Sequence, residues 1–174
     1  MENHFFSKML VLFSLLLSCL LLNGCNLLSM GAQVAMIKLQ FGCLPEGTYL
    51  DTPDGPVVLE AIEVGDVITG YSGNPVKVLQ KHAYLEDPLN TAYVQISFEN
   101  GASVSASELH RIANVPAKMI RQGDVIAGQK VIAAHQFYDI SKSYDLLTED
   151  AGYQIEGIPV NSMIGEMQVA MQQQ

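Results

Sequence analysis

From Cys43 onward, short apolar runs alternate with clusters of turn residues. The runs are rich in β-branched and aromatic side chains, and Gly, Pro, Asn and Asp separate them, which is typical of strands joined by tight turns. The pattern predicts strands at Thr48–Leu50, Val57–Leu59, Asp66–Tyr71, Val76–Tyr84, Ala92–Glu99, Ser103–Ser105 and Val131–Tyr138. Asn100-Gly101, between two of these runs, predicts a hairpin. We therefore expect an all-β domain of about 120 residues.

Two Gly-Asp steps, Gly65-Asp66 and Gly123-Asp124, are each followed by a Val-Ile pair. The residues that precede them, 59–63 and 117–121, are expected to form a short turn before each strand. This repetition indicates two related halves. From Ser162 onward, apolar residues at helical spacing predict a short C-terminal helix that packs on the domain.

The first 25 residues have the arrangement of a secretory signal. Lys8 is the only basic residue before an uncharged run from Met9 to Cys25, as in a basic n-region followed by an apolar h-region. Leu22-Asn23-Gly24-Cys25 resembles a bacterial lipobox, which implies cleavage before Cys25 and a lipid on its thiol. A second candidate ends at Cys19, but it would leave an apolar core of only about eight residues.

An uncleaved transmembrane anchor is the alternative, since the apolar run could continue beyond Cys25. The run from Met9 to Leu22 is shorter than the roughly 20 residues that a span needs, so we favour the lipoprotein. Either way, the domain is expected in a bacterial cell envelope, tethered to the membrane and facing away from the cytoplasm. The predicted organisation is a signal peptide at 1–25, an apolar linker at 26–42, a globular domain at 43–164 and a polar tail at 165–174.

Composition narrows the classes of partner. The chain has 9 basic and 18 acidic residues and a net charge of −9, which excludes the basic surface that nucleic-acid binding needs. Cys43 is the only cysteine outside the signal, so the domain cannot form an internal disulfide. A lone cysteine is often a small buried hydrophobic residue, and it needs further motifs before it indicates chemistry.

Three sequence blocks supply such motifs. They are Gly42–Thr52 with Ile62–Ile68, then Ser107-Glu108-Leu109-His110, then Tyr144-Asp145-Leu146-Leu147 with Tyr153–Val160. In this order and spacing they resemble the Hint domain, the self-processing module shared by hedgehog C-terminal regions and inteins. The resemblance extends from about Gly42 to Ile164. It implies a twisted all-β fold with pseudo-two-fold symmetry, and we expect neither a cofactor nor a metal.

The resemblance also implies a reaction at the Gly42–Cys43 bond. In the family, the leading cysteine attacks the preceding carbonyl and converts the peptide into a thioester, so Cys43 is the expected nucleophile. Gly42 is small enough for close backbone approach. His110 would protonate the departing nitrogen, work that suits an imidazole near neutral pH. Ser107 stands where the family has threonine and keeps a hydroxyl beside the bond.

The C-terminal end departs from a splicing intein. Aligned on Gly157-Ile158, the penultimate His of an intein falls on Asn161 and the terminal Asn falls on Ser162. A slip of one residue would make Asn161 terminal with Ser162 as the downstream nucleophile, but Val160 would then replace the His. In either register, the groups for asparagine cyclisation are incomplete, so we expect N-terminal cleavage alone.

The expected function is single-turnover self-cleavage of an exported, lipid-anchored domain. Water, a small thiol or an amine would accept the acyl group, because no sterol-binding extension is present. The rival interpretation is a catalytically silent Hint fold that serves as a membrane-tethered interaction module. A metal-dependent hydrolase is disfavoured, since His82 with Glu86 and His135 with Asp139 lie about 13 Å apart if they are on strands.

Overall fold

The computed structural model describes residues 43–150 and 152–166. Its strands are β1 (Leu44–Pro45), β2 (Tyr49–Leu50), β3 (Val57–Val58), β4 (Val67–Thr69), β5 (Pro75–Leu85), β6 (Tyr93–Phe98), β7 (Ser103–Ser107), β8 (Arg111–Ile112), β9 (Val115–Pro116), β10 (Val125–Ile126), β11 (Gln129–Phe137), β12 (Lys142–Thr148), β13 (Gly152–Ile155) and β14 (Ile158–Asn161). Short 3₁₀ helices occupy Leu59–Ala61 and Ala117–Met119, and residues 163–166 form a helical turn. The predicted all-β class is confirmed. The signal peptide, the linker with Gly42, and most of the polar tail lie outside the described residues.

The strand order reveals two matching halves. One sheet has the order β4-β5-β12-β1 and another has the order β10-β11-β6-β7, while β13-β14-β8-β9 form a third sheet and β2-β3 a hairpin. Strand β6 follows β5 in the chain but pairs with β11, and β12 follows β11 but pairs with β5. The last strand of each half therefore belongs to the sheet of the other half, which ties the halves together.

The two Gly-Asp steps occupy equivalent positions in these halves. Gly65 and Gly123 have φ values of 99° and 95°, a left-handed backbone that favours glycine. In each step, the Asp side chain accepts a hydrogen bond from the backbone N–H three residues earlier, at 2.8 Å for Asp66 and 2.7 Å for Asp124. Each step follows a 3₁₀ helix, which lies within the short turn predicted before each strand. The sequence repetition thus corresponds to the pseudo-two-fold symmetry of the fold.

The predicted hairpin joins β6 and β7. The Phe98 N–H donates to the Ala102 carbonyl at 2.9 Å, and the Asn100 side chain accepts the Ala102 N–H at 3.1 Å. Gly101 takes a φ of 91° at the tip. Strand β7 continues to Ser107, two residues beyond the predicted end, because its pairing with β6 extends to Tyr93. The strand expected after the second Gly-Asp step is β10, whereas the sequence pattern missed β1, β8, β9 and β12 to β14.

The core draws residues from both halves. The largest fully buried side chains are Tyr93, Tyr153, Phe98, Leu44, Leu50, Leu59, Ile68, Ile96, Ile112, Ile120, Leu146 and Ile158. Because β6 and β12 are exchanged between the two sheets, side chains of each half pack in the hydrophobic core of the other half. In residues 43–150 and 152–166, no helix has the length and hydropathy that a membrane crossing requires.

Gly152→Ala should strongly destabilise the fold. An added Cβ would overlap the backbone oxygen of Val160 and lie 2.9 Å from the Cα of Asn161, so β13 could not keep its pairing with β14. We expect a loss of roughly 3 kcal/mol or more in the free energy of unfolding, measured in urea. Gly165→Ala is the matched control, since its Cβ would meet ordinary contacts at 3.4 Å and alanine favours the helical turn. Equal stability of the two variants would contradict the β13–β14 packing described above.

Candidate active site

Ser107 holds both backbone groups of Cys43. The Cys43 N–H donates to Ser107 Oγ at 2.9 Å, and the Cys43 carbonyl accepts the Ser107 N–H at 2.9 Å. Cys43 is 3% exposed and directly precedes β1. The Cys43 nitrogen is the atom that would leave in the predicted acyl shift, so the structure brings Ser107 to the position that this chemistry needs.

His110 follows Ser107 through a tight turn. The His110 N–H donates to the Ser107 carbonyl at 3.0 Å, and the His110 carbonyl accepts the Ala117 N–H at 2.8 Å. The side chain is fully buried. Strand β7 ends at Ser107 and β8 begins at Arg111, so the turn is fixed at both ends. The backbone thus ties His110 to Ser107, the residue that is bonded to Cys43.

Strand β12 brings a buried carboxyl group opposite Cys43. The register of β1 on β12 pairs Leu44 with Tyr144, and continuing it by one residue places Cys43 opposite Asp145. Opposite residues of an antiparallel pair project to the same face with Cβ atoms about 5 Å apart. Asp145 is 1% exposed. Asp145 belongs to the third sequence block, yet the sequence pattern assigned it no role.

The Asp145 carboxyl is enclosed by hydrogen-bond donors. Oδ1 accepts the Leu146 N–H at 2.9 Å and the Tyr153 hydroxyl at 2.8 Å, and Oδ2 accepts the Ile164 N–H at 2.9 Å. Burial nevertheless raises the pKa of Asp145 from 3.8 to about 7, although these donors and the Met163 N–H favour the ionised form. Asp145 can therefore gain or lose a proton near neutral pH, as an acid–base group must.

Cys43 and Asp145 share electrostatic neighbours. Burial raises the pKa of Tyr84 to about 12, and the nearby Cys43 and Asp145 add to this rise. Burial also raises the pKa of Tyr153 well above its ordinary value, again with contributions from Asp145 and Cys43. The register and these interactions agree in bringing the thiol and the carboxyl group together.

Glu86 is a second carboxyl group on this side of the domain. It accepts a hydrogen bond from the Ser143 hydroxyl, and Ser143 pairs with Pro45, two residues after Cys43. Burial raises the pKa of Tyr93, and Glu86 and Cys43 both contribute to that rise. Glu86 follows the predicted strand Val76–Tyr84 and belongs to no motif, so no sequence signal indicated that it lies near Cys43.

A cleft of about 430 Å³ is lined by residues of β1 and β7, the two strands that flank the site in the chain. Pro45, which lies two residues after Cys43, and Ser105, which lies two residues before Ser107, both line it. Glu46 and Phe137 contribute acidic and aromatic surface. Alternate residues of a strand share a face, so Ser105 and Ser107 point to the same side of β7. The cleft therefore gives a small molecule room next to the Cys43 strand.

The C-terminal candidates occupy structural positions. Asn161 Nδ2 donates to Asn114 Oδ1 at 2.8 Å, and Asn161 Oδ1 accepts the Asn114 N–H at 3.0 Å. Ser162 Oγ accepts the Gly165 N–H at 3.1 Å, so Ser162 caps the helical turn. The turn reaches Asp145 through the Ile164 N–H. The structure thus brings this segment to the same carboxyl group that lies opposite Cys43.

No three-ligand metal cluster is found within residues 43–150 and 152–166. His82 Nδ1 lies 3.2 Å from the Tyr84 hydroxyl, and His82 Nε2 lies 3.3 Å from Gln80 Oε1. Of the residues predicted for the site, Cys43 is bonded to Ser107, and Ser107 is bonded in turn to the His110 backbone. Gly42 and Cys25 lie outside the described residues.

Comparisons with known proteins identify the fold. A DnaB intein from Synechocystis sp. PCC 6803 matches with a TM-score of 0.60 and 10% identity, over 70% of this chain and 99% of the intein. A bacterial intein-like domain from Clostridium thermocellum matches with a TM-score of 0.58 and 16% identity, over 69% and 97%. The gp41-1 intein gives a TM-score of 0.57 and 18% identity, over 70% and 98%. The domain has the Hint fold of inteins, and the predicted fold is confirmed.

Sequence comparison adds a partial relationship. No protein-family model matches the chain. Iron–sulfur cluster assembly SufBD family proteins of Mycobacterium tuberculosis and Mycobacterium bovis are 33% identical over 81 residues, or 46% of this chain. The matched segment is only 9% of the length of those proteins. The similarity is thus confined to a short part of them.

The stability of the domain should depend on the ionisation of Asp145. Its folded-state pKa, about 7, lies above the ordinary 3.8 of an unfolded chain, so the folded chain binds more protons between these values. The stabilisation from protonated Asp145 is complete below the unfolded-state pKa and is lost as pH rises through the folded-state pKa. The loss is at most about 4 kcal/mol.

Urea unfolding of the parent chain and of Asp145→Asn, from about pH 4 to about pH 8, tests this dependence by giving the free energy of unfolding of each chain. The amide does not titrate, so the free-energy difference between the two chains should change with pH in the direction just given. All other titrating groups are common to both chains. Parallel stability curves would show that Asp145 ionises normally in the folded state.

Proposed function

We propose that this domain cleaves its own chain, by an N-to-S acyl shift at the Gly42–Cys43 bond. The observation that carries the proposal is the arrangement at Cys43. Ser107 engages both of its backbone groups at 2.9 Å, and the β1–β12 register places Asp145 opposite it. A thiol next to the scissile bond needs no bimolecular encounter, so fixed geometry supplies much of the rate.

The steps assign each group a task. Cys43 Sγ attacks the Gly42 carbonyl carbon and gives its proton to the Asp145 carboxylate. The carbon–nitrogen bond then breaks, and the Cys43 nitrogen leaves as an amine after taking a proton from the protonated imidazole of His110, which becomes neutral. Ser107 Oγ, which accepts the Cys43 N–H before the reaction, keeps that nitrogen in place. The product is a thioester between Gly42 and Cys43.

A small acceptor then resolves the thioester. Water, a thiol or an amine enters through the cleft beside β1 and attacks the Gly42 carbonyl, and Cys43 leaves as a thiol by taking back the proton that Asp145 received. Glu86, which is held by Ser143, would take the proton of the acceptor. The reaction occurs once per chain, because its substrate is the chain itself.

Splicing is not part of the proposal. The Asn161 side chain is bonded to Asn114 at both of its polar atoms, whereas cyclisation needs its nitrogen to attack its own carbonyl. Ser162 is engaged as a helix cap. Val160 stands where the slipped register needs a histidine, so that register provides no imidazole there. N-terminal cleavage is therefore the whole of the proposed activity.

Export and lipid anchoring extend the proposal. The lipobox-like sequence that ends at Cys25 supports a bacterial lipoprotein. Cleavage before Cys43 would then separate the acidic domain from its lipid and leave a short lipopeptide in the membrane. The domain would be a self-releasing protein of the cell envelope.

A silent, membrane-tethered interaction module is the second candidate. The near-complete burial of Cys43 and His110 favours it, because both side chains would also serve a packed core. In that case, Cys43 would have a purely structural role. The two candidates differ in the reactivity of the Gly42–Cys43 bond.

Intact mass of the full chain separates these candidates. Incubation with dithiothreitol or hydroxylamine should release a fragment that begins at Cys43, because both reagents attack thioesters. Cys43→Ala should abolish the fragment, and His110→Ala should slow its formation by about a hundredfold or more. Ser107→Thr is the matched control for Ser107→Ala, since threonine keeps the hydroxyl. An unchanged mass of the parent chain after a day would reject self-processing in favour of the silent module.

Lipid attachment can be tested with labelled fatty acid in a bacterial host. The chain should incorporate the label, and Cys25→Ala should lose it because the thiol that carries the lipid is gone. Cys19→Ala is the matched control and should remain labelled. A parent chain that stays in the membrane fraction without label would instead support an uncleaved transmembrane anchor.

A further inference from the structure

Tyr153 connects the hydrophobic core to the candidate active site. It is fully buried in β13, where Val160 pairs with it on one side and Gly70 bridges to it on the other. Its backbone is thus fixed on both sides. Its hydroxyl donates to Asp145 Oδ1 at 2.8 Å.

The hydroxyl differs from the other named donors to Asp145. The donors of Leu146 and Ile164 are backbone N–H groups, which are present whatever side chain these positions carry. The Tyr153 hydroxyl is a side-chain group, which a phenylalanine of nearly the same shape would lack. Phenylalanine would fill the same core volume, so packing alone does not account for the hydroxyl.

We propose that Tyr153 is a positioning residue of the acyl shift, which holds the Asp145 carboxyl in the orientation that exchanges a proton with Cys43. This inference rests on the self-processing proposed above. The Tyr153 hydroxyl and the Leu146 N–H occupy both acceptor positions of Oδ1. The hydroxyl thus fixes the carboxyl group from the β13 side. Without it, Oδ1 keeps only the Leu146 N–H of these two donors, and the carboxyl can turn away from Cys43.

The hydroxyl also affects how readily Asp145 gives up its proton. Burial raises the pKa of Asp145 to about 7, and the hydrogen bond from Tyr153 limits that rise. Loss of the bond should raise the pKa further, because a donor to the ionised form is removed. The inflection in a pH–rate profile that reports Asp145 should move in the same direction.

Tyr153→Phe in the full chain, purified in detergent, tests the inference with two readouts. The first is the titration midpoint of the Asp145 carboxyl carbon by NMR, assigned by its absence in Asp145→Asn. We expect a shift of about one pH unit upward. The second is the rate of thiol-induced cleavage against pH, whose inflection should move upward, with a roughly tenfold slower rate at neutral pH. Tyr138→Phe, which removes the hydroxyl of a half-exposed tyrosine that is not among the donors to Asp145, should change neither readout.

A double variant shows whether Tyr153 acts through Asp145. In an Asp145→Asn background, Tyr153→Phe should slow cleavage no further, since its target is already gone. An additional tenfold loss there would overturn the inference, and so would an unchanged midpoint for Asp145. An upward midpoint with an unaltered pH–rate profile would overturn the positioning role alone. Failure of self-processing is recognised separately, because the parent chain would then release no fragment, and the positioning role would fall with it.

Discussion

The buried carboxyl group of Asp145 is the interaction on which the geometry around Cys43 depends. A carboxyl group in an apolar interior needs donors, because its transfer from water is otherwise costly. The donors come from three places: β12 itself, β13, and the helical turn after Ser162. Satisfying this group therefore draws β13 and the C-terminal turn onto β12. Because β12 also pairs with β1, the same arrangement encloses Cys43.

The exchange of strands explains why the candidate residues come from both halves. Asp145 lies on β12, which is the last strand of the second half but pairs with β5 of the first. Ser107 lies on β7, which pairs with β6 in the sheet of the second half. Cys43 bonds to Ser107 and lies opposite Asp145, so it stands where the two sheets meet. Neither half alone contains this set of groups, and the pseudo-symmetric pairing is needed to assemble it.

The parts of the fold that could be predicted are those with a local physical signal. The Gly-Asp steps need a left-handed glycine and a side-chain cap, and Asn100-Gly101 needs a tight hairpin, so both are visible in the sequence. Strand β1 has only two residues, too few for a period-two pattern to be recognised. Strand β12 contains Asp145 within its run, which breaks the apolar pattern.

The residues of the candidate site also fall into two groups, those with a local sequence signal and those without one. Cys43, Ser107 and His110 are found by their resemblance to Hint motifs, which needs only order and spacing. The roles of Asp145, Tyr153 and Glu86 depend on pairing between distant strands, and single-sequence patterns do not contain that information. The lone Asp in the Tyr144–Leu147 run was the available signal, since a carboxyl in such a run must be paired if it is buried. Cys25 and Gly42 remain predictions from the sequence.

The burial of the site is compatible with chemistry because it raises the pKa of Asp145, the carboxyl group that would act as the base. An ordinary thiol ionises near pH 8.5, and a carboxyl group with a pKa of 3.8 is too acidic by almost five units to take its proton. Burial raises the pKa of Asp145 to about 7, which narrows the difference from an ordinary thiol to about 1.5 units, or about 2 kcal/mol. The same burial makes the ionised carboxylate costly to the folded state above neutral pH. An apolar residue at position 145 would avoid that cost, so the buried carboxyl group of Asp145 is the feature of this core that supports the proposed self-processing over a silent module.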